Sequence, residues 1–230
     1  MRKVIITDPP KATIADADAL ARFGVATVHE ALGRVGLVGP DMRPIQDGVR
    51  VAGTAVTVLT WPGDNLMLHA AVEQCHEGDV LVVATTSEST DGMFGELFAT
   101  ALAYRGVRGL VTAAGVRDVA ELREMGFPVW SRAVNAQGTV KATGGAVNVP
   151  VRIGNAIVDA GDVVIGDDDG VMIVPRADVA TAIAASAARE KKEESTRAAF
   201  RRGESGLDLY GLRSVLAEQG VEYVSADTSA

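Results

Sequence analysis

The sequence predicts an α/β fold with a C-terminal helical extension, and three observations carry that prediction. Strand-like and helix-like segments alternate from residue 50 to residue 131. A Val/Ile-rich block broken by glycines follows at 147–174. A long segment rich in Ala, Glu, Lys and Arg then runs over 177–202. Alternation of the first kind favours a parallel sheet with helices on it. Short branched-residue runs between glycine turns favour antiparallel strands.

The elements follow in order. Residues 14–23 read as a helix: Thr13 can cap it, Asp16 and Asp18 suit the positive end of its dipole, and Ala17, Leu20 and Phe23 share one face. Gly24 interrupts it. Thr27 stands as an N-cap for a second helix over 28–32, with Glu30 three residues on in capping-box spacing. Glu30 is therefore a cap or a site residue. Residues 50–59 alternate and are β-branched, which makes a strand. Pro62-Gly63-Asp64 is a turn whose aspartate can cap a helix over 65–74. Glu77-Gly78-Asp79 turns into a buried strand at 80–85. A helix at 95–104, a strand at 110–113, a helix at 119–125 and a short strand at 128–131 complete the alternation. The antiparallel block comprises 147–153, 155–158, 162–166 and 170–174. One long helix spans 177–202, a short one lies within 207–223, and residues 225–230 fray.

Composition limits the function. The 230 residues are 47% hydrophobic and 23% charged, which suits a packed core and excludes general disorder. A net charge of −8 argues against nucleic-acid binding by bulk electrostatics. No apolar run approaches the ~20 residues of a membrane span. The single cysteine, Cys75, excludes an internal disulfide framework and a CxxC zinc site, and reads as a buried thiol. The start, MRKVIITDPP, lacks a signal-peptide apolar region, so a cytoplasmic location is expected.

The densest chemistry lies at 95–118, GELFATALAYRGVRGLVTAAGVRD. Backbone N–H groups at the helix start, Gly95 to Phe98, can hold a carboxylate, and Glu96 sits in the first turn. Arg117 and Asp118 follow a buried strand at its C-terminal edge, where α/β proteins place ligands. Arg117 can fork onto a carboxylate or oxyanion, and Asp118 is a hard oxygen ligand for Mg²⁺ or Mn²⁺. The same pair also reads as a surface ion pair with a helix cap. Asp167-Asp168-Asp169-Gly170 reads as a hairpin turn, since its spacing does not match an EF-hand. His69 falls in a helical apolar pattern and reads as structural, whereas His29 beside Glu30 keeps some functional chance. Lys141 is the one lysine placed for imine chemistry, but the glycines after it suggest a turn. Residues 188–204 read as a solvated helix face; Glu193 or Glu194 there could reach another subunit.

The segment 95–122 resembles the signature of the family that includes regulator of ribonuclease activity A and the class II pyruvate aldolases. Further segments are similar to the 4-carboxy-4-hydroxy-2-oxoadipate / 4-hydroxy-4-methyl-2-oxoglutarate aldolases: ATVHEALGR (26–34), residues 63–83, VKATGGAVNVPV (140–151), GDVVIGDDDGVMIVPR (161–176) and the tail 207–224. The resemblance implies a β/β/α core of swivelling-domain type over 1–176, with the block at 147–174 as its second β layer. It implies that the extension at 177–230 packs on a neighbouring subunit of a trimer or hexamer. It implies retro-aldol cleavage of a 4-hydroxy-2-oxo diacid in aromatic-acid breakdown, with Mg²⁺ or Mn²⁺ on Asp118 and with secondary oxaloacetate decarboxylation. Arg117 would bind the 2-oxo acid end, the loop Gly95-Glu96-Leu97-Phe98 its carboxylate, and Glu96, Glu30 and Glu193 would approach the metal's surroundings. Relatives carry an Asp where this chain has Ala113, a departure that bears on substrate preference. A non-catalytic, ribonuclease-inhibiting protein of the same family is the alternative from another class.

Overall fold

The computed structural model describes residues 2–226. The expected fraying at 225–230 falls mostly on residues 227–230, outside the described residues. The chain opens with β1 (Val4–Ile5), α1 (Ile14–Ala21), α2 (Val25–Ala31) and β2 (Arg43–Pro44). The central run is β3 (Val51–Thr60), α3 (Leu66–Val72), β4 (Asp79–Thr85), β5 (Gly92–Phe94), α4 (Glu96–Tyr104), β6 (Gly109–Val116), α5 (Val119–Glu124) and β7 (Val129–Val134). Then come β8 (Ala146–Val147), β9 (Val151–Ile153), β10 (Ala156–Val158), β11 (Val163–Asp167) and β12 (Gly170–Val174). A single 3-10 turn leads into α6 (Val179–Arg201), followed by α7 (Gly206–Leu209) and α8 (Leu212–Glu218).

β3, β4, β6 and β7 form a parallel core in that order. β11 pairs antiparallel with the first half of β3 and carries β12 outside it, while β8 pairs with the end of β3. β1 joins β8, β2 joins β7, and β5 adds a short parallel contact to β6. β9 and β10 form a separate hairpin.

The parallel strands are buried on both faces, as their branched-residue runs require. Val56 and Val58 of β3, Leu81 and Val83 of β4 and Leu110 of β6 meet Leu68, Leu102 and Leu122 of α3, α4 and α5. Alternate residues Ala55, Val80, Val82, Val111 and Trp130 face the other way, onto Val151, Ile153, Ala156 and Val158 of the hairpin. The layers are therefore hairpin, sheet and helices, a β/β/α arrangement. A third cluster packs α1, α2 and the first turns of α6 over β11 and β12, through Leu20, Val28, Ile165, Met172 and Val179.

Three expectations need correction. The second β layer is only the β9–β10 hairpin, because β11 takes the free edge of β3 and brings β12 into the main sheet. The expected strand at 147–153 is broken into β8 and β9 where Asn148 adopts φ +59 and Pro150 removes a donor. Next, α1 begins as read, with the Thr13 hydroxyl accepting the Asp16 N–H at 3.1 Å, but α2 starts at Val25 rather than after Thr27. The Val25 N–H donates to Asp167 Oδ2 at 2.8 Å, across 142 residues of chain. Gly24 (φ +80) makes that turn, in a region that penalises side chains. Thr27 thus lies inside the helix, and Glu30 in its last turn pairs with Arg34 at 2.9 Å; the capping box is not formed.

The chain divides into two compact units, residues 1–187 and 188–230, with the boundary inside α6. Within the second, the rings of Phe200 and Tyr210 meet edge-on at 6.3 Å, and Arg213 pairs with Asp208. No described helix is long and apolar enough to cross a membrane.

Candidate active site

β4 and β6 deliver their C-terminal ends to the same side of the sheet. β6 ends at Val116, with Arg117 and Asp118 next; after β4 the chain loops through β5 and turns at Gly95 into α4. The β5–β6 pairing brings the two exits together, with Phe94 opposite Val116. The Arg117 N–H donates to the Phe94 carbonyl at 2.9 Å.

Asp118 sits at φ +56, ψ 40, a left-handed conformation that costs a residue with a side chain. Its carboxylate does not cap α5, which it precedes. Instead Oδ2 accepts the Glu96 N–H at the start of α4, at 3.1 Å. The Arg117 Nε lies 3.7 Å from the same oxygen. Among the described residues Oδ1 accepts no hydrogen bond, and the side chain is 40% exposed, so it is available to a ligand. Gly95 makes this approach possible: a Cβ there would stand 2.2 Å from Asp118 Oδ2 and 3.2 Å from Arg117 Cγ.

Gly95, Leu97, Phe98, Arg117 and Asp118 line a cleft of about 520 Å³. Of the amides expected to cradle a carboxylate, that of Glu96 donates to Asp118 and that of Phe98 to the Gly95 carbonyl at 3.1 Å. The Leu97 amide has no acceptor among the described residues. The Glu96 carboxylate accepts from the Thr100 hydroxyl at 2.7 Å and is not part of the cleft wall. Glu30, on α2, is also outside that wall. Glu193 belongs to the C-terminal unit, where it pairs with Arg189 at 2.7 Å. His29 makes only a local contact, from Nδ1 to the Val35 carbonyl at 3.1 Å. Cys75 is buried, and burial, followed by the Asp79 charge, pushes its thiol up to about 12, an inert state.

The same cleft contains Asn65, His69 and Lys141, which sequence reasoning had set aside or missed. Asn65 immediately precedes α3 and His69 lies one turn into it, four residues on. The Asn65 amide donates to the Met93 carbonyl at 3.2 Å, while its Oδ1 is buried without a partner. The His69 ring lies 4.5 Å from that of Phe98. Burial, aided by the Lys141 charge, holds its imidazole below the ordinary histidine range, so it is neutral at pH 7. The i, i+4 spacing of Asn65 and His69 after the Asp64 turn was the signal in the sequence.

Lys141 is not in a free turn. Asp64, 2% exposed, ties its loop to the start of α3. Oδ1 accepts the Leu66 N–H at 3.0 Å, and Oδ2 accepts those of Ala142 and Thr143 at 3.0 and 2.6 Å. Burial alone would raise the Asp64 carboxyl, but these N–H donors outweigh it and hold it below the usual carboxylate range. Asp64→Ala should therefore cost about 3 kcal/mol in urea unfolding at pH 7. A carboxyl depressed by folding stabilises fully above its unfolded value, and that stabilisation is lost as pH falls through the folded value. The gap between the two proteins should accordingly narrow below about pH 4.

Ala113 lines a different cavity, of about 420 Å³, beside Arg132 and Arg152. The residue that departs from the family pattern is thus not in the Arg117 cleft wall.

Fold and site together define a β/β/α protein with a small-molecule cleft at the C-terminal edge of its parallel strands. The RraA-like family model, described as Aldolase/RraA, matches residues 12–173, and the chain belongs to that family. A Burkholderia multivorans relative named "Putative 4-hydroxy-4-methyl-2-oxoglutarate aldolase" is 32% identical over 156 residues, covering 66% of this chain and 94% of the relative. A Halalkalibacterium halodurans protein of the same name is 27% identical over 165 residues, covering 70% and 79%. The crystal structure of Streptomyces coelicolor RraAS2, titled an unusual member of the RNase ES inhibitor RraA protein family, superposes with a TM-score of 0.72. It is 25% identical, over 81% of this chain and 98% of that one.

Proposed function

We propose that this chain is a class II pyruvate aldolase, acting in the cytoplasm on 4-hydroxy-2-oxo acids that carry a further carboxylate, such as the diacid 4-hydroxy-4-methyl-2-oxoglutarate or the triacid 4-carboxy-4-hydroxy-2-oxoadipate. The observation that carries the reading is the unengaged Oδ1 of Asp118, held beside Arg117 and the start of α4 by a strained backbone. The names of the two aldolase relatives support it.

The residues present fit a divalent cation of one kind. Among the described residues no three His, Cys, Asp or Glu side chains gather to cage a metal. One exposed carboxylate suits Mg²⁺ or Mn²⁺, which take hard oxygen ligands and need few from protein. Asp118 would hold the ion. When bound, such an ion acts as a Lewis acid toward the substrate's 2-oxo acid end.

The chain's own groups do the rest. The free Leu97 amide, at the positive end of α4, binds the carboxylate of the 2-oxo acid. Arg117 donates to the 2-oxo oxygen and stabilises the negative charge that develops there as the C3–C4 bond breaks and its electron pair forms the enolate of pyruvate. The C4 hydroxyl loses its proton and becomes the carbonyl of the second product. Glu96, with Glu30 and Glu193 from a neighbouring subunit of a trimer or hexamer, supplies carboxylates for that proton and for its return to C3.

Loss of CO₂ from oxaloacetate leaves the same enolate. Oxaloacetate decarboxylation should therefore run about tenfold or more above the rate with Mg²⁺ alone, checked by its absorbance. The proposal is tested by coupled pyruvate release from both substrates, with and without EDTA. The RraAS2 likeness favours one other reading, a non-catalytic protein that inhibits a ribonuclease. Ribonuclease capture without pyruvate release would replace the aldolase with that reading. Imine chemistry at Lys141 is disfavoured, since the side chain is exposed and imine formation needs a desolvated amine; borohydride should trap no pyruvate adduct.

A further inference from the structure

We propose that Lys141 binds the second carboxylate of the substrate and so selects diacids over monoacids. The inference rests on the aldolase reading for the chemical class of the ligand. Its own observations concern the Lys141 loop and not the Asp118 carboxylate.

Lys141 lies in the cleft wall and makes no ion pair among the described residues. Its position is built. Besides the Asp64 tether on Ala142 and Thr143, the Asn65 N–H donates to the Val140 carbonyl at 3.0 Å, and the Val140 N–H donates to the Gly63 carbonyl at 2.9 Å. Upstream, the Gln137 carbonyl accepts the Gly92 N–H at 2.8 Å. The loop is therefore held on both sides of the lysine.

The same loop passes the arginine. A Cβ on Gly138 would stand 3.6 Å from Arg117 Nη1. Lys141 stands three positions beyond Gly138, a reach of about 10 Å at full extension. A short diacid gripped at one end by Arg117 can present its other end to the lysine, whose flexible stem closes the remaining gap.

The neighbouring groups leave this task to Lys141. His69, held below the ordinary histidine range by burial, lies against Phe98 with its ring tilted to it. Arg105, also in the cleft, is turned to the Cys75 carbonyl, to which it donates at 3.4 Å. Asn65 Oδ1, buried and unpartnered in the same wall, needs a donor, and a 4-hydroxy-2-oxo diacid brings a hydroxyl between its carboxylates.

The test uses two uncleavable probes that differ in the second carboxylate, 2-oxoglutarate and 2-oxopentanoate. Calorimetric titration is run with Mg²⁺ on the full-length protein and on Lys141→Met and Lys141→Arg. The wild type should prefer 2-oxoglutarate about tenfold or more. Lys141→Met should shrink that preference to about twofold or less while 2-oxopentanoate binds as before, and Lys141→Arg should keep most of it. Equal binding of both probes by the wild type, no binding of 2-oxoglutarate, a preference that survives Lys141→Met, or equal loss of both probes would each overturn the inference. Pyruvate release is measured in parallel. A lysine-dependent preference in a wild type that cleaves nothing would support this inference and sink the aldolase reading. Cleavage without the preference would do the reverse.

Discussion

Asp118→Ala is expected to lose about a thousandfold or more in kcat/KM for pyruvate release, some 4 kcal/mol of transition-state stabilisation. The carboxylate has an oxygen free to hold a dication, beside Arg117 in the cleft. Its second task is structural, since Oδ2 accepts the Glu96 N–H. Loss of that contact should cost about 1 kcal/mol, the usual worth of a helix cap. Melting by circular dichroism should thus fall a few degrees while activity collapses. Asp118→Asn separates the tasks: the amide oxygen can still accept from Glu96, so stability should return while activity does not. Full activity of Asp118→Ala in EDTA would remove the basis of the proposal.

Gly95→Ala should have the next largest effect, about a hundredfold in kcat/KM, through one methyl group. The backbone there is extended, at φ −156, ψ −167, so alanine meets no conformational penalty. The cost is steric: the new Cβ would stand 2.2 Å from Asp118 Oδ2. The carboxylate must swing out, and Arg117, whose Cγ lies 3.2 Å from that point, must move with it. Overpacking of this kind costs about 1–3 kcal/mol, short of unfolding the sheet behind it. A crystal structure of the variant should show the displaced carboxylate. Gly138→Ala is the control, since its Cβ would make an ordinary 3.6 Å contact with Arg117 and should change activity by about threefold or less.

Much of this was legible along the chain. The β3-to-β7 alternation is local information: branched runs make buried strands, and glycine turns end them. The Gly95–Phe98 turn and the Arg117-Asp118 pair were legible too, because each stands at a strand or helix end where α/β proteins place ligands. What escaped was carried by contacts between distant residues. Lys141 looked like part of a turn because its anchor, Asp64, acts across 78 residues to Ala142. Strands as short as β1, β5 and β8, of two or three residues, carry no periodicity and exist only because a neighbouring edge accepts them. β11 reads as a strand of the carboxy-terminal block, and its hairpin with β12 follows from the turn between them, yet its other edge takes β3, a partner no local pattern names.

The bond from Val25 to Asp167 has a consequence for biogenesis. As the polypeptide emerges from the ribosome, α2 lacks its capping acceptor until Asp167 has been made, long after the helix itself. Early folding must then begin in the βαβ units, where partners are close in sequence, with the amino-terminal segment docking late. Stalled nascent chains that end before Asp167 should leave the Val25 amide open to hydrogen exchange, and chains that extend past β12 should protect it.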